Sequence, residues 1–126
     1  MKAYLKNNRQ APRKVRLVAD VIRGKQVAVA LLELGVMSQK AAPVLKKLVA
    51  SAFANAKHKD SSVKAEDLVV RSITVDKGMT YTRFMPRAFG RAAPINRESS
   101  HIRIELASVR ELQAGATRKA VKKNNS

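Results

Sequence analysis

Cysteine is absent from the 126-residue chain, which excludes disulfides, thiolate metal sites and cysteine nucleophiles and leaves stability to packing or to a partner. Long apolar runs are absent too. Nothing approaches the roughly 18 consecutive apolar residues of a membrane-spanning helix, and Met1 to Asn8 lacks the apolar centre of a secretory signal. A soluble, cytoplasmic protein with no membrane partner is expected. The glycines at 24, 35, 78, 90 and 115 are too scattered for a phosphate-cradling loop, and there is no internal repeat. Acids are scarce: 9 Asp and Glu stand against 26 Lys and Arg, a net charge of +17. Such a chain repels itself and calls for a polyanion. Nucleic acid fits best, because each neutralised phosphate releases condensed counterions and converts surplus cations into salt-dependent affinity. An anionic membrane surface is the rival, and the missing apolar segments weaken it.

The length suits one domain with a modest core plus extensions. Ala3, Tyr4 and Leu5 begin a short strand. Pro12 suits the first turn of a helix and Gly24 its stop, which predicts helix one over Pro12 to Arg23. Its apolar side is Val15, Val18 and Ile22, joined by Leu17 and Val21, with Arg13, Arg16, Asp20 and Arg23 opposite. A second helix is expected from Lys25 to Leu34, with Val27, Ala30, Leu31 and Leu34 inward and Gly35 just past its end. Ser38 is the next candidate N-cap. From there to about His58, the set Ala41, Val44, Leu45, Leu48, Val49, Ala52, Phe53 and Ala56 keeps helical spacing. Pro43 is compatible only with the first turn of that helix.

After a polar loop from Lys59 to Asp67, the stretch Leu68 to Val75 is rich in valine, isoleucine and threonine and reads as a strand. Ile102, Ile104 and Leu106 alternate with His101, Arg103 and Glu105 and form a second strand, expected to pair antiparallel with the first. Between them, from Asp76 to Ser100, there is no helical pattern. The acids there stop after Asp76 and resume only at Glu98, while Lys77, Arg83, Arg87, Arg91 and Arg97 recur. This segment reads as an extended two-stranded arm turning between Pro86 and Gly90, with a reach on the order of 40 Å at roughly 3.3 Å per residue. The expected organisation is one globular domain over residues 1–111 with a hairpin protruding at about 76–100. A basic tail over 112–126, carrying Arg118, Lys119, Lys122 and Lys123, is expected to stay unordered until it meets RNA.

Arginine suits RNA because its planar fork bonds phosphate bidentately and stacks on bases. Tyr81, Phe84 and Phe89 interleave with the arm arginines and offer faces to unstacked bases, while Gly90, Ala88, Ala92 and Ala93 permit close backbone approach. Residue type alone leaves open whether this is a solvated basic loop, and whether Arg13, Lys14, Arg16, Arg23 and Lys25 form a solvated helix face. Ala52, Phe53 and Ala56 are core, and Asn55 is either structural or RNA-facing. Ser99, His101, Arg103 and Glu105 share one strand face, but successive residues of one strand supply no nucleophile with an oxyanion hole and cleft. His58 and His101 lack a third ligand at metal-binding spacing. No catalytic residue, metal or cofactor is expected.

Three segments in order carry a family resemblance. The first is Pro12-Arg13-Lys14-Val15-Arg16-Leu17-Val18-Ala19-Asp20 with Ile22-Arg23-Gly24-Lys25. The second is Ser51-Ala52-Phe53-Ala54-Asn55-Ala56. The third is Arg83-Phe84-Met85-Pro86-Arg87-Ala88-Phe89-Gly90-Arg91-Ala92, followed by Ser99-Ser100-His101-Ile102. From Lys2 to about Val109 the chain resembles the large-subunit ribosomal protein family called L twenty-two, in its bacterial form. The resemblance implies an α+β fold, three helices packed on a small three-stranded antiparallel sheet, with a long β-hairpin running through ribosomal RNA to the peptide exit tunnel.

With that resemblance, Lys2, Lys6, Arg9, Arg13, Lys14, Arg16, Arg23 and Lys25 in the body are read as RNA contacts. Lys77, Arg83, Arg87, Arg91, Arg97 and His101 join them from the arm and its root. Met85, Pro86, Arg87, Ala88, Phe89, Gly90 and Arg91 form the tunnel tip. The implied partners are large-subunit rRNA, neighbouring large-subunit proteins and the nascent peptide, with no homo-oligomer. Ala11 stands where the family commonly has a serine N-cap, which leaves helix one less well capped by about 1 kcal/mol. Phe89 stands where a basic residue is frequent. The rival readings are a free RNA chaperone or DNA-binding regulator, which would leave a ribosome-free pool on fractionation, and a nuclease, whose turnover would vanish on His101→Ala.

Overall fold

A computed structural model describes residues 1–109; the expectation for the basic tail at 112–126 lies outside them. The order is β1 (Lys2–Asn8), α1 (Pro12–Ile22), α2 (Val27–Val36), α3 (Ala42–Lys59), β2 (Leu68–Pro86) and β3 (Ala92–Ser108), with a 3-10 turn at Ala88–Gly90. The sheet is antiparallel in the order β1-β3-β2, so the last strand in sequence is the central one. This is the α+β class, three helices on a three-stranded sheet.

Period-two alternation builds the sheet. Ile102, Ile104 and Leu106 of β3 are buried together with Ile73 and Val75 of β2 and Ala3 of β1, whereas Tyr4, Thr74 and Arg103 are exposed. α1 packs on β2 and β3, and α3 on β1 and β3. The fully buried Ile22, Leu45, Leu68, Ile102 and Ile104 anchor the core, each contributing about 1.5–3 kcal/mol of hydrophobic burial. Ala52 and Ala56 are buried on α3, where their small side chains bring the helix close to the sheet. The Met1 ammonium donates to the Leu106 carbonyl at 2.8 Å, and the Leu106 N–H donates to the Met1 carbonyl at 2.7 Å, tying the chain start to the central strand.

Pro12 opens α1, and Gly24, at φ 77, turns the chain after it. That glycine lets the linker pair with β2: the Gly24 N–H donates to Val70 at 3.0 Å and the Val70 N–H to Lys25 at 2.9 Å. Ala11 is the N-cap of α1 and makes no side-chain cap bond.

Four details differ from expectation. Leu17 and Val21 share the helical period of the core but are 69% and 37% exposed. An 11-residue helix lying on a sheet buries one stripe, here Val15, Val18, Ala19 and Ile22, and its flanks stay open. α2 starts at Val27 and runs through Gly35 to Val36, so Gly35 is inside the helix. Its φ is not positive, and Met37 caps the helix by donating to the Glu33 carbonyl. Ser38 caps nothing; α3 starts after Ala41, which places Pro43 in the first turn where no backbone bond is lost. Helix one ends at Ile22, and Arg23 is its C-cap.

β2 and β3 continue beyond the body as one ladder, from Lys77↔Ser100 to Pro86↔Ala92. All residues from 81 to 90 are exposed. At about 3.3 Å per residue the β2 leg from Lys77 to Pro86 is on the order of 30 Å long.

Candidate nucleic-acid interface

Arg83, Arg87, Arg91 and Arg97 are exposed and form no ion pair among the described residues. Phe84 and Phe89 beside them are 73% and 97% exposed. The tip closes where the Arg87 N–H donates to the Arg91 carbonyl at 2.7 Å. Phe89 and Gly90 are both left-handed there, at φ 59 and 67, a conformation natural for glycine and unfavourable for phenylalanine by about 1–2 kcal/mol. The strained residue thus holds its ring out from the end of the hairpin.

The body cations divide by what they already bond. Lys6, Arg9, Arg13 and Lys14 are exposed and outside any ion pair among the described residues. Arg16 instead gives its Nε and Nη2 donors to the Val75 carbonyl at 3.1 and 2.8 Å. Arg23 donates to the Ile73 carbonyl at 3.2 Å and pairs with Asp20 at 3.0 Å. These two arginines stitch α1 to β2 and retain only part of their donor set for RNA. Lys25 bonds both carboxylate oxygens of Glu33, at 2.5 and 2.7 Å. Lys2 pairs with Glu105 at 3.0 Å, and Lys77 with Glu98 at 3.0 Å. The Lys2 hydrogen bond and charge hold the Glu105 carboxyl below its ordinary value against an opposing desolvation, with smaller help from Ser72 and Arg71.

His101 is half-buried, and its Nδ1 accepts the Asn7 N–H at 3.1 Å. Its ring lies 6.4 Å from Tyr4. The buried Ser99 donates its hydroxyl to the Met79 carbonyl at 2.7 Å. Serine and histidine therefore each bond to backbone, and no nucleophile–base pair forms. Asn55 is exposed and ties α3 to β1, its amide donating to the Lys2 carbonyl at 3.2 Å.

Two features escaped the sequence reading. Tyr4, on the open face of the sheet, has Lys6 and Arg103 each 5.6 Å from its ring centre, within cation–π range. Alternation placed Arg103 on that face, but only the register, Tyr4 opposite Arg103, brings ring and cation together. The second feature is a groove between α1 and the arm root. It is lined by the exposed Leu17 and Val21, by Tyr81, and by basic residues that include Lys40.

A compact body bearing a slender, acid-poor arginine ribbon has the form of a structural RNA-binding protein, and it holds no assembled catalytic set among the described residues. Residues 3–107 match the family described as Ribosomal protein L22p/L17e, and the chain belongs to that family. It is a non-enzymatic structural component of the large ribosomal subunit, binding rRNA in company with other ribosomal proteins.

Proposed function

We propose that the body anchors on large-subunit rRNA while the arm locks RNA segments together during assembly, its tip reaching the wall of the nascent-peptide exit tunnel. In this reading residues 1–111 act as one globular unit with a protruding hairpin at about 76–100. The unpaired cations Lys6, Arg9, Arg13, Lys14, Arg83, Arg87, Arg91 and Arg97 carry most phosphate contacts, and Met85 to Arg91 face the nascent peptide. The protein works as a single cytoplasmic copy per particle, and the chemistry of peptide synthesis is left to RNA.

The observation that carries the proposal is the arm: a two-stranded ladder exposed over 81–90, whose Arg83, Arg87, Arg91 and Arg97 pair with no acid among the described residues. A two-stranded ribbon is marginally stable at best in water, so surrounding nucleotides supply the order that no protein layer supplies. Binding of the full chain to large-subunit rRNA, measured across a salt series, should fall with a log-log slope of roughly −0.7 to −0.9 per phosphate neutralised. A salt-insensitive complex overturns the proposal. Deleting Arg83 to Arg91 should leave the body folded and placed in the particle while altering the tunnel wall in a density map. Unfolded helices after that deletion would refute the division into body and arm.

A further inference from the structure

We propose that the groove between α1 and the arm root is a socket for one unpaired rRNA nucleotide, its base lying on an apolar floor and its flanking phosphates on a basic rim. The inference rests on the rRNA-binding reading and adds a specific site to it. The groove measures about 980 Å³, within the range of roughly 300–1,000 Å³ that takes small organic groups.

The floor is unusual for so charged a protein. Leu17 and Val21 stand at successive turns of α1 in line with Lys14, a spacing of three and then four residues, and the fold leaves them open. Tyr81, 53% exposed, faces the same space from the arm. Phosphate gains nothing from such a floor, whereas a base has flat faces that stack on aromatic and aliphatic surface. The rim carries Arg9, Lys14, Lys40, Arg83 and Arg97. Its acid is Glu98, already held by Lys77 at 3.0 Å. A polypeptide segment with apolar anchors would meet five uncompensated cations here, whereas a nucleotide brings the matching charge. A duplex hides its base faces by stacking, so the occupant is a nucleotide turned out of its helix.

The groove also explains why α1 and the arm root belong to one binding surface. Tyr81 and Arg97 are directly opposite in the β2–β3 register, and the floor residues come from a helix some sixty positions earlier in the chain. A base seated between them fastens the arm to the body through RNA.

The test uses the full chain and a full-length large-subunit rRNA transcript, with base-specific chemical probing and affinity measured over a salt series. The variants are Leu17→Ala and Tyr81→Ala, both at exposed side chains, with unfolding midpoints checked first. Tyr81→Ala should weaken binding by about 5- to 150-fold, the loss expected from one base stacked on an aromatic ring, and Leu17→Ala by a smaller factor. Each should also restore reactivity at one unpaired nucleotide that the wild type protects, and leave the salt slope unchanged because no phosphate contact is removed. Wild-type affinity with unaltered protection in both variants overturns the socket, and so does an even loss of affinity with a changed slope. Capture of a polypeptide by a photo-crosslinker at position 17 of assembled subunits, with every rRNA protection intact, overturns it in favour of a protein occupant. Failure of the wild type to bind the transcript would instead defeat the underlying rRNA reading.

Discussion

Replacing Gly78 by alanine should destabilise the protein although nothing about the backbone forbids it. Gly78 lies where β2 has an extra residue, between the pairs Lys77↔Ser100 and Thr80↔Glu98, and its φ is outside the left-handed region. The constraint is space. A Cβ there would stand 2.6 Å from Ser99 Oγ, 3.2 Å from His101 Nε2 and 3.3 Å from His101 Cε1. Ser99 is buried and its hydroxyl is committed to the Met79 carbonyl at 2.7 Å, so moving it breaks a hydrogen bond. The net value of that bond is about 0.5–1.5 kcal/mol, and forcing a methyl into a packed site costs about 1–3 kcal/mol. Together they predict a loss of roughly 1.5–4.5 kcal/mol, and each kcal/mol lowers the Tm of a domain this size by about 4–8 °C. Urea and thermal denaturation of the purified protein, followed by far-UV circular dichroism, measure it. Ser99→Ala removes the obstructing oxygen, so Gly78→Ala with Ser99→Ala should be less destabilised than the sum of the single changes, by about 1 kcal/mol or more. A Gly78→Ala protein within about 0.5 kcal/mol of wild type, or strict additivity in the double variant, would refute the steric reasoning.

Further predictions concern the helices and the sheet. Ala11→Ser should supply the missing N-cap of α1 and raise stability by about 1 kcal/mol, read as a higher denaturation midpoint; an unchanged or lower midpoint would show that the N-terminal N–H groups are already satisfied. Arg16→Lys should destabilise the isolated protein by about 1 kcal/mol, because one ammonium cannot reproduce the paired donors at the Val75 carbonyl; unaltered stability with weakened rRNA binding would instead make Arg16 a pure RNA contact. The Glu105 carboxyl is lowered in the folded state, so the stabilisation from its pairing is fully present above the unfolded value of about 4.3 and drains away as pH falls through the lowered one. Glu105→Gln should flatten that part of the acid limb, the two stability curves converging at low pH; parallel curves would exclude the effect.

Much of this architecture was legible in the residues because it rests on strong periodicities. The set from Leu45 to Ala56 keeps helical spacing over many turns, and Ile102, Ile104 and Leu106 alternate cleanly, so α3 and the body part of β3 were readable at once. The arm was readable for the opposite reason: its arginines follow one another without acids or any helical period to absorb them. Leu17 and Val21 misled because their spacing is that of the core, and only the width of the contact between α1 and the sheet decides which stripe is covered. Arg16 and Arg23 look like any basic helix face, since a guanidinium aimed at a backbone carbonyl has the same sequence signature as one aimed at phosphate. Lys40 was overlooked because its role depends on α1 and the arm meeting beside it, a tertiary fact without local signal.

The central position of β3 bears on how such a protein can change length in evolution or by engineering. The strand that returns from the tip also carries Ile102, Ile104 and Leu106 into the core, and in a β-ladder a slip of one residue turns every side chain to the other face. A single insertion or deletion in one leg of the hairpin must therefore be absorbed as a new bulge or it inverts the hydrophobic layer of the body. Length variants that preserve the fold are matched ones, with one residue gained or lost on each leg, or changes confined to Ala88–Gly90, where the ladder has already ended.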